Sequence, residues 1–356
     1  MKIDDKTSHN SPSIRFPEFT GEWEKCEIED ITDAVSSGKS KNHFSNGEYN
    51  LYGSTGIIGR TDKALYDGKL VLVARVGANA GFLQIINEPC GITDNTLILK
   101  PKGIDAFYLY YFLQHFNLNR LIFGSGQPLI TGGMLKKVKV SLGTISEQSK
   151  IVKFLSLLDE RIATQVRLID RLQSLMIGIR HRIINEAKGK IVCLCEVSDI
   201  YQPQTISSAD LTETGYPVYG ANGIIGHYTS YNHEAEQVCI TCRGNTCGGV
   251  NYTKSKSWIT GNAMVVNVDR YQNIVSKRYL YHYLSNCDFN SIISGSGQPQ
   301  IVRAPLAKFK IILPTVMQQY KIAHCLDVIQ NKINVNSNIL NLLIRQKQYL
   351  LRKMFI

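Results

Sequence analysis

The chain has 356 residues, with 40 lysines and arginines against 29 aspartates and glutamates and a formal net charge of +11. That length suits two ordinary domains, each with its own core, and the positive balance favours a polyanionic partner, nucleic acid before an anionic membrane. No apolar run is long enough to span a bilayer, and Met1 to Ser13 is polar without the apolar core of a secretion signal, so a cytoplasmic protein with no membrane partner and reduced thiols is expected.

In chain order, a short apolar segment, Trp23 to Ile31, gives way to a polar stretch, Ser36 to Asn50, and then to Tyr52-Gly53-Ser54-Thr55-Gly56-Ile57-Ile58-Gly59. Leu70 to Arg75 predicts a buried strand, with further strands at Gly81 to Ile86, Thr96 to Lys100 and Leu135 to Val140, because short Val/Ile-rich runs bounded by glycine favour strands. Ala106 to Phe116 predicts a helix. Thr144 to Ala187 has no proline and one glycine, Gly178, and its apolar residues alternate spacings of four and three: Ile151, Leu155, Leu158, Ile162, then Ile169, Leu172, Met176, Ile179 and Ile183. That is a heptad seam. Ser146 and Ser149 offer a polar start for it and Ala187-Lys188-Gly189 a stop.

The order then begins again. Lys190 to Ile200 is apolar, Gln202 to Gly215 polar, and Tyr219-Gly220-Ala221-Asn222-Gly223-Ile224-Ile225-Gly226 repeats the first motif at an offset of 167. Gln237 to Cys242 matches Leu70 to Arg75, and Ser276 to Ser285 matches the helix. Gly124-Ser125-Gly126-Gln127-Pro128 returns unchanged from Gly295, an offset of 171. A second seam runs Ile322, Leu326, Ile329, Ile333, Leu340, Leu343, Leu350, Met354. A period this long marks a duplicated domain rather than a solenoid.

The expected fold is therefore a duplicated α/β (α+β) chain with pseudo-two-fold symmetry: domain 1 over residues 1–143, helix 1 over 144–187, domain 2 over 188–314 and helix 2 over 315–356. The helices, each about 60 Å long at ~1.5 Å per residue, would pack on each other as an antiparallel coiled coil. Gln165 and Asn336 interrupt the two seams near their midpoints and are expected to meet and fix the register. Lys347, where the first seam has Met176, is expected to reach water near a helix end.

Cys193, Cys195, Cys239, Cys242 and Cys247 invite a zinc reading. The repeat argues against it, since Leu72 and Ala80 stand where Cys239 and Cys247 recur, as small core residues would. The aromatic set Phe107, Tyr108, Tyr110, Tyr111 and Phe112, partly repeated as Tyr279, Tyr281 and Tyr283, has the spacing of a packed helix rather than of a platform for unpaired bases.

Two α/β domains, each followed by a heptad helix and each carrying the Tyr-Gly-x-x-Gly-Ile-Ile-Gly and Gly-Ser-Gly-Gln-Pro motifs, resemble the specificity subunit of a type I restriction–modification enzyme. Ile14-Arg15-Phe16-Pro17-Glu18-Phe19 before Trp23-Glu24 is similar to that family's opening. The resemblance covers nearly the whole chain. It implies that each domain is a target recognition domain reading half of a bipartite double-stranded DNA site, and that the paired helices set the distance between halves. It also implies that two methyltransferase subunits dock on the chain and that two restriction subunits can join them. The chain itself would be non-catalytic, with no cofactor or metal of its own. S-adenosylmethionine, ATP and magnesium would sit on the partners. Consistent with that, the sequence has neither a Gly-x-x-x-x-Gly-Lys-[Ser/Thr] loop nor the Asn/Asp-Pro-Pro-Tyr segment of an adenine methyltransferase.

Domains on one side of B-DNA would lie about 34–36 Å, or roughly 10 bp, apart. Affinity would come from lysine and arginine on phosphates and specificity from base-edge contacts. Segments that differ between copies are the candidates. In the first copy these are Lys39, Lys41, Asn42, His43, Arg60, Arg75 and Asn79. In the second they are Gln202, Gln204, His227, Arg243, Asn245, Lys254 and Lys256, with Gln300 and Arg303 after the second Gly-Ser-Gly-Gln-Pro. Two other functions fit fewer of these features: a coiled-coil scaffold with no DNA role, and a stand-alone cysteine- or metal-dependent enzyme.

Overall fold

The computed structural model describes residues 11–41, 46–122, 128–295 and 297–356. The chain divides into two compact units, one formed by the chain up to Val166 together with Asn338–Ile356, the other by Arg167–Ser337.

In the first unit the strands are β1 (Glu24–Glu27), β2 (Thr32–Ser37), β3 (Tyr49–Gly53), β4 (Gly56–Thr61), β5 (Lys69–Ala74), β6 (Leu83–Asn87), β7 (Cys90–Ile92) and β8 (Thr96–Pro101). Helix α1 (Ala106–Phe116), the short α2 (Gly132–Lys136), β9 (Lys139–Leu142) and the long α3 (Ile145–Glu186) follow. Strands pair in the orders β2-β8-β5-β6, β4-β3-β7 and β1-β9, antiparallel except for β3 with β7. Alternation decides which layer each side chain joins. Val71 and Val73 of β5 face the core under α1, with Tyr108, Leu109 and Phe112, while Leu70 and Leu72 face a smaller core with Cys90 and Ile92.

The second unit repeats this with β10 (Lys190–Cys193), α4 (Leu194–Val197), β11 (Asp199–Tyr201), β12 (Tyr216–Gly220), β13 (Gly223–Tyr228), β14 (Val238–Thr241), β15 (Val250–Tyr252), β16 (Trp258–Ile259) and β17 (Ala263–Asn267). It closes with α5 (Lys277–Leu284), α6 (Arg303–Ala307), β18 (Lys310–Leu313) and α7 (Val316–Met354). Its orders, β11-β17-β14-β15, β13-β12-β16 and β10-β18, are those of the first unit. The repeated motif is a hairpin in both: Gly53 pairs with Gly56 and Gly220 with Gly223 across two-residue turns. Gly56 at φ +125° and Gly223 at φ +85°, the residues that follow the two central ones, hold a positive φ that a side chain would strain.

Both seams are buried along the long helices. In the first unit Ile151 and Leu155 of early α3 share a core with Leu351 and Met354 of late α7. In the second, Leu172, Met176 and Ile179 of late α3 pack with Leu326, Ile329 and Ile333 of early α7. Within each unit the two helices are thus antiparallel, and the fold class expected from the sequence is the one observed. Late α7 also meets the start of the chain's described part: the Ile14 amide donates to the Lys353 carbonyl at 2.9 Å. Phe355 is buried against the rings of Tyr108 and Phe112, at centroid distances of 5.2 and 6.3 Å.

Three local expectations need correction. Leu135 lies in α2, and the strand starts only at Lys139. Helix α3 is opened by Thr144 rather than Ser146 or Ser149: the Glu147 amide donates to Thr144 Oγ1 at 3.3 Å, and Ser146 and Ser149 are exposed. Lys347 turns inward rather than out into water. Its Nζ pairs with Asp159 at 2.6 Å and lies over the Tyr111 ring, leaving the side chain 17% exposed.

Candidate nucleic-acid interface

At one end of each four-stranded sheet, two loops are joined backbone to backbone. In the first unit the Arg75 amide donates to Asn95 O at 2.9 Å, Gly77 to Pro128 O at 3.0 Å, and Ile130 to Arg75 O at 2.9 Å. In the second, Cys242 donates to Asn262 O at 3.0 Å, Gly244 to Pro299 O at 3.1 Å, and Ile301 to Cys242 O at 3.0 Å. The three bonds correspond one to one. In each unit one bond ties the turn after the inner strand, β5 or β14, to the turn before β8 or β17, and the other two tie it to the proline of Gly-Ser-Gly-Gln-Pro and the segment just after it. Paired amides fix both loops, so the side chains they carry are presented from a firm base.

The frame recurs while its side chains do not. The first unit presents Arg75 and Asn79 beside Leu129 and Thr131, and Thr131 caps α2 by accepting from the Met134 amide at 3.2 Å. The second presents Arg243 and Asn245 beside Gln300, with Arg303 opening α6; Arg243 and Gln300 are backbone-bridged. Arg243, Asn245, Arg303 and Asn79 are exposed, Arg75 and Gln300 half-buried.

The other candidates lie elsewhere in their units. Lys39 and Lys41 are exposed and line an open cleft of about 520 Å³ with Thr61, Asp62 and Lys63. Asn42 and His43 fall outside the described residues, as do Gly124 to Gln127 and Ser296. Arg60 is exposed on β4 and donates to the Glu48 carbonyl at 3.3 Å. His227 on β13 and Lys254 and Lys256 near β16 belong to the surroundings of the three-stranded sheet. His227 is half-buried, and its carbonyl accepts from Thr212 at 2.8 Å. The Lys254 amide donates to Tyr219 Oη at 3.0 Å. Lys256 sits at φ +49° with Nζ 3.9 Å from Glu234. Gln204 is exposed. The Gln202 side-chain amide is used internally, donating to the Gly261 carbonyl.

Sequence reasoning missed Lys63, which joins Lys39 and Lys41 only because β3 and β4 fold back on each other; no linear spacing signals that. It also missed the tie that holds the first hairpin. Glu88 accepts from Tyr52 Oη at 2.6 Å and from Asn50 Nδ2 at 2.8 Å, and burial together with that carboxylate raises the Tyr52 hydroxyl to about 12.

Of the cysteines that invited a zinc reading, Cys239 and Cys242 take up packing positions, Cys193 and Cys247 are half-buried and Cys195 is exposed. Cys239 and Cys242 are buried, and burial pushes the Cys239 thiol up to about 12. Among the described residues no group of three or more His, Cys, Asp or Glu side chains is placed to hold a metal ion. The aromatic helices are core elements, with Tyr108, Tyr111, Phe112 and Tyr279 fully buried. Among the described residues no helix is long and apolar enough to cross a membrane. What the loop pairs offer is guanidinium and amide groups on fixed backbone, which is chemistry for recognising hydrogen-bond acceptors.

Comparison with known proteins agrees with this chemistry. The family model described as type I restriction modification DNA specificity domain matches twice, over residues 20–174 and 187–345. The EcoprrI specificity subunit of Escherichia coli is 31% identical over 148 residues, 40% of this chain and 36% of that protein, so the chain aligns with about a third of that relative. A protein of Haemophilus influenzae named as type I restriction enzyme specificity subunit S.HindORF215P is 20% identical over 92% of both chains. Among solved structures, the type I restriction-modification S subunit of M. genitalium superposes with a TM-score of 0.71 at 18% identity, over 97% of this chain and 99% of that one. A chain from a type I R-M system, solved for its complex assembly and conformational transition, gives a TM-score of 0.56 at 15% identity, over 95% and 98%.

Proposed function

Because the chain belongs to the type I restriction modification DNA specificity family, we propose that it reads a bipartite double-stranded DNA site, one half with each α/β domain. As a member of that family it is a specificity chain and not an enzyme. The observation that carries the bipartite reading is the duplicated loop pair: the same three backbone hydrogen bonds in both units, under side chains that differ. Equal frames with unequal readers suit a site whose halves differ in sequence.

The exposed lysines Lys39, Lys41, Lys63, Lys254 and Lys256 supply phosphate contacts, and the loop pairs supply base contacts. Helices α3 and α7, of 42 and 39 residues, are roughly 60 Å long at ~1.5 Å per residue, enough to carry two readers one turn of DNA apart. Two methyltransferase subunits dock on this chain and two restriction subunits join them. S-adenosylmethionine, ATP and magnesium belong to those partners, and the complex works in the cytoplasm.

Two measurements test this. Affinity for random duplexes should fall linearly on a log–log plot against salt, with a slope of about 0.9 per phosphate contacted. Methylome sequencing of cells carrying the chain with its methyltransferase subunit should show two short specified runs separated by an unread gap. Salt-insensitive binding, or methylation at one continuous motif, contradicts the proposal.

A further inference from the structure

We propose that Arg75 is the base-reading residue of the first domain and that it recognises the O6/N7 edge of a guanine in that domain's half-site. The proposal rests on the bipartite reading above and names a specificity determinant within it.

Arg75 follows directly on β5. Val71 and Val73 point into the core under α1, and strand alternation sends Arg75 to the same face, where the sheet ends. Its own amide and carbonyl are both taken, by Asn95 and Ile130. The backbone therefore cannot turn the side chain elsewhere. The residue is half-buried, yet its Nε is buried with no hydrogen-bond partner among the described residues, and none of them pairs with the guanidinium as an ion. A partly desolvated cation with an unmet donor is costly unless a ligand supplies the acceptor.

The second domain provides the comparison. The residue in the same place is Cys242, which is 1% exposed, sits in the core, and donates to the Gly261 carbonyl through Sγ at 3.6 Å. A small, internally satisfied thiol is therefore enough for this fold, and the guanidinium of the first domain is surplus to folding. A guanidinium offers two parallel N–H donors, which match guanine's acceptor pair in the major groove. A phosphate seat is better served by the exposed Lys39, Lys41 and Lys63, whose flexible stems can follow the DNA backbone.

The experiment is methylome sequencing of cells carrying the methyltransferase subunit with wild-type chain, Arg75→Cys or Arg75→Lys. Arg75→Cys installs the residue with which the second domain already folds. The wild type should require guanine at one position of one half-site. Arg75→Cys should accept all four bases there, with discrimination falling about 5- to 150-fold, and the other half-site and the gap should not change. Arg75→Lys keeps the charge without the fork and should relax the same position. An unchanged motif in both variants overturns the assignment. So does a uniform loss across the motif with a salt slope reduced by about 1, which marks a phosphate contact. A wild type with no bipartite motif would instead sink the proposed function.

Discussion

His282 shows how one side chain links packing to pH. It is fully buried on α5, with Nε2 2.8 Å from Asp327 Oδ1 on α7, while Arg278 also pairs with that carboxylate. Burial lowers the affinity of His282 for a proton; the Asp327 contact opposes this, and Arg180 and Arg278 reinforce it. Burial likewise lowers His115 and His233. The unfolded chain then takes up protons that the native one refuses. The stability contributed is complete above the ordinary histidine range near ~6.5 and is lost as the pH falls below it. Asp327 acts in the same sense lower down. Burial would raise it, but hydrogen bonds from His282 and Arg278 hold it at about 2, so its contribution fades as pH drops from ~3.9 towards that value. Melting temperature should therefore decline between about pH 7 and about pH 5, and His282→Gln should flatten the decline. A profile that stays level or climbs over that interval in the wild type would contradict the assignment.

At the level of elements, what the sequence made legible was whatever depends on periodicity. Helix α1 spans the residues predicted for it, and the named apolar positions of both seams are buried or half-buried, because a heptad pattern is a local signal of a buried stripe. Features created by tertiary pairing were not legible. Lys347 looked like a solvent-reaching break in the seam, but Asp159 of α3 and the Tyr111 ring of α1 hold it in a partly buried ion pair. The candidate site divided on the same principle. The turn that carries Arg75 and Asn79 is joined to Pro128–Ile130, and the turn that carries Arg243 and Asn245 to Pro299–Ile301, by hydrogen bonds between segments more than 50 residues apart. The sequence could mark these segments as divergent between copies but could not show that they touch. Gln202 looked like a free reader until its amide was found closing on Gly261. The helices themselves carry a prediction. Inserting one heptad into both α3 and α7 preserves each seam and should lengthen the unread gap while leaving both half-sites as they were, read by methylome sequencing. An unchanged gap would mean that the helices are not the ruler.

At the scale of the whole molecule, one design is used twice. Each unit has the same three sheets, the same hairpin, the same loop pair and one end of each long helix, and the late part of α7 returns to complete the unit in which the chain begins. Under the proposed function, duplication with divergence supplies two different readers, each on its own copy of one frame. It also gives the most direct test of that claim. A chain in which residues 188–314 are replaced by a second copy of the first domain keeps both helices and both loop frames but holds two identical readers. Methylome sequencing with the same methyltransferase subunit should return the first half-site twice, as an inverted repeat about an unread gap. Retention of the original second half-site, or a single uninterrupted motif, would show that the domains do not each read their own half.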